Sequence, residues 1–424
     1  MNILIKNGHV IDPSQNIDGH NDLLIKGRKI LGLYPEGKGP AADKTIDASG
    51  CIVIPGLVDM HTHLREPGFE YKETIKTGTL AAVKGGYTTV CCMPNTKPVN
   101  DTISVTEFIL EKSVKEGSCT VYPIGAITRG QKSEELTELE ALLKAGCIAF
   151  SDDGHPVTNS LIMRRALEYS KIFNVPIISH CEDLKLSEGG VMNEGFVSTI
   201  VGLRGIPKAA EEVMVARDLS LCELTGGRLH IAHVSTEGSV KLIRDAKARG
   251  INVTAETCPH YFTLTDESII SYDTNLKVNP PIRTASDVAA IKEGLKDGTI
   301  DVIATDHAPH HVDDKNKEFD SAAFGISGLE TAFSLGLQLV DQGVLDMKQL
   351  ITKMAVTPSH IMGIGKGMLT ADSDADIAII NTEKEYRVDS STFLSKGKNS
   401  PFNKWTLKGT VEITISMGKV FEWN

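Results

Sequence analysis

The sequence predicts an α/β fold, a (β/α)8 barrel of the TIM type with a small β-sandwich domain formed from both chain ends. Three observations lead to this prediction. The chain has 424 residues, which is too long for one small domain and suits a large domain with a smaller one. Roughly fifty residues at each end show strand-like alternation. Between them, short apolar segments alternate with amphipathic ones over roughly 310 residues, as in a parallel barrel.

The small domain is predicted from the strand-like sequence of the two ends. The N-terminal segments ILIKNGHVID and NDLLIKGRKILGLY are separated by turn residues around Pro13. The C-terminal segments ADIAIINTEKEYRV and WTLKGTVEITISMG have the same character. We therefore predict that residues 1–54 and 366–424 form one small β domain and that residues 55–365 form the barrel.

The barrel is predicted from eight apolar segments, each followed by a segment with helical periodicity. Amphipathic segments such as SEELTELEALLKAG end in glycine, which is typical of a helix C-terminus. The predicted strands cover residues 57–63, 88–93, 120–124, 147–151, 176–180, 228–233, 252–255 and 301–305.

Composition excludes several classes of function. The chain has 44 basic and 55 acidic residues, a net charge of −11, and no Lys/Arg cluster, so binding to nucleic acid or an anionic membrane is not expected. No apolar run approaches the roughly 18 residues of a membrane helix. The N-terminus is interpreted as a strand and not as a signal peptide. Eight scattered cysteines without a CxxC pair indicate a reducing, cytoplasmic location.

Side chains typical of metal ligands follow five of the predicted strands at the same end. In a (β/α)8 barrel the functional residues lie at the C-terminal ends of the strands. His61 and His63 belong to one strand and, with a side-chain period of two, should point to the same face. The candidate ligands are His61, His63, one of Asp152 and Asp153, His180, His233 and Asp306.

Six nitrogen and oxygen ligands exceed the requirement of one tetrahedral zinc ion, so two metals that share a carboxylate fit better. Imidazole and carboxylate suit Zn²⁺, with Mn²⁺ and Co²⁺ as alternatives. The pattern leaves Asp152 and Asp153 as alternatives. His230 is out of phase with His233 and is expected to face the other way. Arg65 continues the face of the two histidines, and either a substrate anion or Glu66 or Glu70 could pair with it.

Long motifs in a fixed order resemble the dihydroorotases of the cyclic amidohydrolase family, and the resemblance covers nearly the whole chain. The motifs are PGLVDMHTHLREPG at 55–68, GGYTTVCCMPNTKP at 85–98, FSDDG at 150–154, SHCED at 179–183, NEGFVSTIVGLRGIP at 193–207, RLHIAHVST at 228–236, LKVNPPIR at 276–283, ATDHAPH at 304–310 and AAFGISGLE at 322–330.

The resemblance implies a zinc centre, with two ions per chain. It puts His61, His63 and Asp306 on one metal and His180 and His233 on the other, with Asp153 as the bridge. Hydantoinases in this family bridge the metals with a carboxylated lysine. Here strand four offers no lysine at that place, and Lys144 precedes the strand.

The resemblance also implies reversible hydrolysis of (S)-dihydroorotate to N-carbamoyl-L-aspartate in pyrimidine biosynthesis. Asp306 would carry the proton from the attacking water to the ring nitrogen that leaves. Arg65 and Asn95 would bind the substrate carboxylate, because a guanidinium matches two carboxylate oxygens. The remaining predicted substrate contacts are the side chains of Asn279 and His310 and the backbone of Phe324 and Gly325.

Two alternatives remain open. One is another cyclic amidohydrolase, such as an allantoinase or hydantoinase, against which Arg65 and the missing bridging lysine argue. The other is an inactive homologue that only scaffolds aspartate transcarbamoylase, and such a chain would be expected to lose metal ligands. The family resemblance further suggests a homodimer, or association with aspartate transcarbamoylase.

Overall fold

The computed structural model describes residues 2–423; Met1 and Asn424, the outermost residues of the predicted small domain, lie outside the described residues. The strands are β1 (Asn2–Lys6), β2 (His9–Asp12), β3 (Ile17–Lys26), β4 (Lys29–Pro35), β5 (Lys44–Asp47), β6 (Ile52–Pro55), β7 (Leu57–Thr62), β8 (Tyr87–Cys92), β9 (Thr120–Pro123), β10 (Phe150–Ser151), β11 (Ile177–Ser179), β12 (Met192–Asn193), β13 (Gly205–Ile206), β14 (Leu229–Ile231), β15 (Val253–Thr257), β16 (Val302–Ile303), β17 (Ile377–Arg387), β18 (Thr406–Ser416) and β19 (Lys419–Glu422).

The α-helices are α1 (Ile75–Lys84), α2 (Ile103–Glu116), α3 (Leu139–Ala145), α4 (Ser160–Ser170), α5 (Phe196–Val201), α6 (Ala209–Thr225), α7 (Glu237–Ala248), α8 (Pro259–Thr263), α9 (Ala285–Asp297), α10 (Val312–Lys315), α11 (Ala332–Asp341), α12 (Met347–Ile351) and α13 (Thr357–Met362). None of the helices described between residues 2 and 423 combines the length and the apolar character needed to cross a bilayer.

Eight parallel strands close into a barrel. Strands β7, β8 and β9 form one sheet, and β10, β11, β14, β15 and β16 form the other. Parallel bridges between Gly125 and Phe150 and between Thr62 and His307 join the two sheets at both seams. All eight predicted strands are present, with boundaries that differ by a few residues. The predicted (β/α)8 barrel is confirmed.

Period-two alternation along the strands separates the inside of the barrel from its outside. Outward residues such as Leu57 and Ile177 join a core shared with the helices. Inward residues such as Cys91 and Ile178 form a separate cluster, together with Ile361 and Met362 of α13. The barrel interior is therefore a packed core, and the open end is left to the strand C-termini and the loops that follow them.

The two chain ends form the predicted β-sandwich. One nine-stranded sheet has the order β19-β18-β17-β6-β2-β3-β1-β5, and β4 pairs with β3. Strand β6 links the halves, because it pairs in parallel with β2 and antiparallel with β17. A core that includes Ile5, Ile25, Val53, Ile377 and Ile415 lies between them. We propose the predicted division at 54/55 and 365/366 as the domain boundaries.

Candidate metal centre and substrate pocket

The C-terminal ends of five barrel strands bring the six predicted ligands together. Each of these side chains belongs to a residue that is at most 5% exposed, so the cluster is closed off from bulk water. The predicted ligands are His61 on β7, His63 after it, Asp153 after β10, His180 after β11, His233 after β14 and Asp306 after β16.

One half of the cluster is formed by the histidine pair of β7 and two carboxylates. His61 Nε2 and His63 Nε2 lie 3.5 and 3.0 Å from Asp306 Oδ1. The same two nitrogens lie 3.3 and 3.4 Å from the two carboxylate oxygens of Asp153. A register shift in the pairing of β7 with β8, between Asp59 and Thr62, accompanies this arrangement. Bulges of this kind re-aim side chains near active sites.

The other half is formed by His180 and His233 on the far side of Asp153. His180 Nδ1 and His233 Nε2 lie 3.6 and 3.5 Å from Asp153 Oδ1, and 2.7 Å from each other. Asp153 therefore faces both histidine pairs, which is the geometry expected of a bridging carboxylate.

Two buried atoms of the cluster support a metal site directly. His61 Nε2 and Asp153 Oδ1 are buried and have no hydrogen-bond partner among residues 2–423. A buried polar atom without a partner costs about 1–3 kcal/mol, so such atoms usually mark a ligand. In the described part of the chain, three groups of three donor atoms each fit within 4.8 Å, and two of them lie in this cluster: His61 with His63 and Asp306, and His61 with Asp153 and His233; the third is Cys258 with His260 and Asp306. The imidazole and carboxylate donors suit a divalent cation.

Two carboxylates that were not predicted from the sequence, Glu256 and Glu182, bind the ring nitrogens of His61 and His180 that do not face the cluster. His61 Nδ1 donates to Glu256 Oε1 at 2.5 Å, and His180 Nε2 donates to Glu182 Oε2 at 3.0 Å. Each bond orients its ring so that the other nitrogen faces the cluster, where a metal would take the place of a proton. The sequence signal for Glu256 was a carboxylate at the end of a barrel strand, β15 (VTAET), since a buried glutamate needs a partner.

The charges of these partners shift the pKa values of the cluster. Burial alone would disfavour the charged ring, yet hydrogen bonds to Asp153 and Glu182 raise the pKa of His180 to about 10. Burial would likewise raise the pKa of Glu182, but His180 lowers it to about 2. Burial is also outweighed at Asp306, where the nearby His61 and His63 lower the pKa. Asp306 is therefore ionised at neutral pH.

The expectation for His230 was wrong. Its ring faces the barrel interior, with Nδ1 2.8 Å from Thr254 Oγ1 and Nε2 3.2 Å from the second oxygen of Glu256. Strict alternation does not reach His233, because β14 ends at Ile231 and His233 has a φ of 35°. The turn brings both histidines to the interior.

The structure separates the two alternatives in the FSDDG motif. The Asp152 carboxylate accepts backbone N–H groups from Ile127 at 2.8 Å and Thr128 at 3.1 Å, and also the Thr128 hydroxyl. It points away from the histidines and holds the loop after β9, so Asp153 is the acid of the cluster. Lys144 bonds Glu140 on the exposed side of α3, 2.6 Å away, and does not replace the bridge.

A cavity of about 300 Å³ adjoins the cluster, a volume at the lower end for small-molecule sites. Its wall contains every residue predicted to touch substrate: Arg65, Asn95, Asn279, His310, Phe324 and Gly325.

Arg65 is a half-buried cation without a carboxylate partner among residues 2–423. Its Nε donates to Pro309 O at 3.3 Å, and its Nη2 lies 3.4 Å from His310 Nε2. Burial lowers its pKa, although a guanidinium stays charged. The alternative partners are engaged elsewhere, since Glu66 accepts the Ile75 N–H and Glu70 accepts the Gly68 N–H.

Two predicted contacts also have structural roles. Asn95 Oδ1 lies 2.9 Å from His63 Nδ1 and Asn279 Nδ2 donates to Glu182 at 2.9 Å, so both amides support metal ligands.

The backbone of Gly325 is already engaged. It donates its N–H to Lys277 O at 2.9 Å and accepts Asn399 Nδ2 at 2.9 Å. A Cβ there would lie 2.6 Å from Ala308 O, at a φ of 143°. Gly325 therefore shapes the pocket wall by close backbone approach.

Sequence comparisons with known proteins match the chain to dihydroorotases. A family model described as dihydro-orotase-like matches residues 50–239. The chain is 57% identical over 420 residues to a dihydroorotase of Geobacter metallireducens, with 99% of each chain covered. It is 55% identical over 419 residues to a dihydroorotase of Acetivibrio thermocellus, covering 99% of this chain and 98% of that one.

Solved structures of hydantoinase type share the fold. An L-hydantoinase (dihydropyrimidinase) from Arthrobacter aurescens superimposes with a TM-score of 0.89 at 26% identity, covering 99% of this chain and 95% of that one. A dihydropyrimidinase from Brevibacillus agri has a TM-score of 0.87 at 23% identity, covering 100% and 95%. These structures support a barrel with an attached β-sandwich.

Proposed function

The chain belongs to the dihydroorotase family, and from this premise we propose how its pocket performs the reversible hydrolysis of (S)-dihydroorotate to N-carbamoyl-L-aspartate in pyrimidine biosynthesis. The observation that carries the proposal is a small cavity that adjoins the six-residue cluster and is lined by a half-buried arginine with no carboxylate partner among residues 2–423. The cluster suits cleavage of an amide, and the arginine suits a substrate that carries a carboxylate.

The residues that would hold two zinc ions follow from the two halves of the cluster. We assign His61, His63 and Asp306 to one ion, His180 and His233 to the other, and Asp153 to both. Zinc, when bound, polarises an amide carbonyl as a Lewis acid and makes water acidic enough to attack at neutral pH. Glu256 and Glu182 orient His61 and His180 through their second nitrogens.

Asp306 is assigned the proton transfer. Its carboxylate is ionised and lies on the pocket wall, so it can accept the proton that the attacking water loses. As the C–N bond breaks, the same carboxylate delivers that proton to the ring nitrogen, which leaves as the ureido group. The carbonyl carbon becomes the new carboxylate of N-carbamoyl-L-aspartate.

Arg65 is assigned the recognition of the substrate carboxylate. A half-buried guanidinium on the cavity wall without a carboxylate partner is well placed to pair with an anion that occupies the cavity. Hydantoin and allantoin have no carboxylate, so this residue favours dihydroorotate over the substrates of other cyclic amidohydrolases. A non-catalytic scaffold is the weaker alternative because all six ligands are present.

We also propose a cytoplasmic location, because the eight cysteines are all unpaired. For partners, we propose a homodimer and an association with aspartate transcarbamoylase. Size-exclusion chromatography with and without that enzyme tests both proposals.

The activity is tested by metal analysis beside turnover of three substrates. The purified protein should contain zinc and hydrolyse dihydroorotate far faster than hydantoin or allantoin. Chelation should remove zinc and activity together, and added zinc should restore both. A metal-free protein with full activity, or faster turnover of hydantoin, would contradict the proposal. Lys144→Ala is the matched control, because that lysine lies on the surface of α3.

A further inference from the structure

We propose that Lys72 is a positioning residue of the substrate site, which fixes the tautomer of His310 and thereby keeps Arg65 free to bind the substrate carboxylate. The inference rests on the proposed function and adds a residue to it. Lys72 follows the HTHLREPG motif in the loop between β7 and α1.

The argument begins with one contact. Lys72 Nζ lies 3.3 Å from His310 Nδ1, and the lysine side chain is only 16% exposed. An ammonium group can only donate hydrogen bonds, so Nδ1 must accept and carries no hydrogen. Asp314 Oδ2 lies 3.5 Å from Lys72 Nζ and keeps the ammonium in place.

The consequence appears at the other ring nitrogen. A neutral imidazole without a hydrogen on Nδ1 has one on Nε2. His310 Nε2 lies 2.8 Å from Phe324 O and donates to it, which ties the ring to the backbone that lines the pocket. Arg65 Nη2 lies 3.4 Å from the same Nε2. A nitrogen that carries hydrogen cannot accept from the guanidinium, so Arg65 keeps this N–H for the substrate.

The charges around His310 keep the ring neutral. Burial and the cations Arg65, Lys72 and Lys315 hold the pKa of His310 well below its usual range. Asp314 is the opposing charge, with Oδ2 3.6 Å from His310 Nδ1. Because the ring is neutral, the position of its single hydrogen is the remaining variable, and the Lys72 ammonium and the Phe324 carbonyl act together to hold it on Nε2.

Without the ammonium group of Lys72, the hydrogen of the His310 ring should be able to move from Nε2 to Nδ1. In Lys72→Met the ring can place its hydrogen on Nδ1, facing Asp314, and its lone pair on Nε2, facing Arg65. His310 would then lose its bond to Phe324 O and accept from Arg65, in competition with the substrate.

The test compares Lys72→Met, Lys72→Arg and the control Lys76→Met in the zinc-loaded full-length protein. Lys76 is an exposed lysine on α1, so the control makes the same change in charge. ¹⁵N NMR of the imidazole groups reports the tautomer, and the signal of His310 is identified by its loss in His310→Gln. Steady-state kinetics with dihydroorotate and with the neutral dihydrouracil reports binding, and thermal melting verifies folding.

Three results are expected. In Lys72→Met, the His310 signal should change from the Nε2–H form toward the Nδ1–H form. The KM for dihydroorotate should rise about tenfold, as for one weakened charge-assisted contact, with kcat within about twofold. Dihydrouracil should be unaffected. Lys72→Arg, which is still a cation, should restore most of the tautomer and of KM, and Lys76→Met should match wild type.

An unchanged tautomer in folded Lys72→Met would overturn the proposal, and so would an equal loss for both substrates. The NMR arm separates this proposal from the proposed function. If wild type did not hydrolyse dihydroorotate while the tautomer still depended on Lys72, the proposed function would fail and the role of Lys72 at His310 would stand.

Discussion

Three functional side chains are aimed by unusual backbone conformations. Arg65, His233 and Asp306 have φ values of 62°, 35° and 48°, in the left-handed region that non-glycine residues rarely adopt. Such residues cost on the order of 1–3 kcal/mol each and persist where the surrounding structure imposes them. Each lies two or three residues beyond the end of a barrel strand, so the turn directs the side chain toward the centre of the barrel mouth and not along the strand.

The first prediction concerns substrate choice by Arg65. Arg65→Lys keeps the charge but cannot form the bidentate hydrogen bonds of a guanidinium with a carboxylate. KM for dihydroorotate should therefore rise and kcat/KM should fall. Arg65→Met should cost more, about 2–4 kcal/mol, because the carboxylate loses a charge-assisted partner. The measurement is the ratio of kcat/KM for dihydroorotate to that for dihydrouracil. A ratio that stays constant across the series would show that Arg65 does not bind the carboxylate.

The second prediction uses the adjacent acids of the FSDDG motif as a matched pair. Asp153→Ala should remove activity and lower metal content, because this carboxylate faces both histidine pairs. Asp152→Ala should keep the metal but destabilise the fold by about 1–3 kcal/mol, because buried N–H groups of Ile127 and Thr128 lose their acceptor. Metal analysis and urea unfolding of both variants are the measurements, and the reverse pattern would contradict the assignment.

Among the structural elements, the barrel strands could be predicted from the sequence, but the residues at which they end could not. Apolar alternation reports burial, so all eight barrel strands and the two β-rich ends were predicted from the sequence. The pattern stops where the strand stops, which is why His230 was misplaced relative to His233. Glu256 and Glu182 were missed because their roles depend on a partner from another element. Five of the six residues in the cluster were predictable because their chemical type repeats at equivalent strand ends, whereas the pattern could not choose between Asp152 and Asp153.

A second element that sequence patterns could not assign is the segment between β17 and β18. Asn399 in this segment is buried, and its Oδ1 accepts a hydrogen bond from the backbone N–H of His310 at 2.9 Å. Its Nδ2 donates to Ala308 O at 3.1 Å and to Gly325 O at 2.9 Å. One amide from the C-terminal part of the chain thus holds together the loop that forms one wall of the pocket.

The third prediction follows from these bonds. Asn399→Ala should leave metal content unchanged and raise KM for dihydroorotate, because the pocket wall loses these three hydrogen bonds and a fourth from Ser327 Oγ to Asn399 Oδ1. Unfolding should become easier by about 1–3 kcal/mol. Asn381→Ala, at a position remote from the pocket in β17, is the control. Wild-type KM in folded Asn399→Ala would show that the loop keeps its position without this residue.

At the scale of the whole molecule, the two ends of the chain support the catalytic barrel. The barrel alone contains the proposed metal ligands, while both chain ends form the sandwich sheet and the C-terminal end also provides the segment with Asn399. Salt bridges from Lys366 to Asp374 and Asp376, each 2.7 Å long, fix the chain where it passes from barrel to sandwich. The position of the pocket wall therefore depends on docking of the C-terminal part, which explains how a domain without ligands affects the site.

The last prediction concerns a carboxyl group where the barrel contacts the segment between β17 and β18. Glu330, just before α11 of the barrel, accepts the backbone N–H groups of Leu394 at 2.8 Å and Ser395 at 3.2 Å. Burial raises the pKa of Glu330 to about 7, above its ordinary value of 4.5. The folded chain therefore binds more protons here than the unfolded chain, and the contribution of this group to stability is full below pH 4.5 and is lost as the pH rises to about 7.

Glu330→Gln keeps an acceptor oxygen but cannot ionise. Its free energy of unfolding should therefore exceed that of wild type by about 1–3 kcal/mol above pH 7, and the difference should shrink toward zero near pH 4.5. Urea unfolding of both proteins across this pH range measures the difference, with Glu383→Gln, an exposed residue of β17, as the control. A difference that does not vary with pH would mean that Glu330 is ionised in the folded protein throughout, and that this contact tolerates a buried charge.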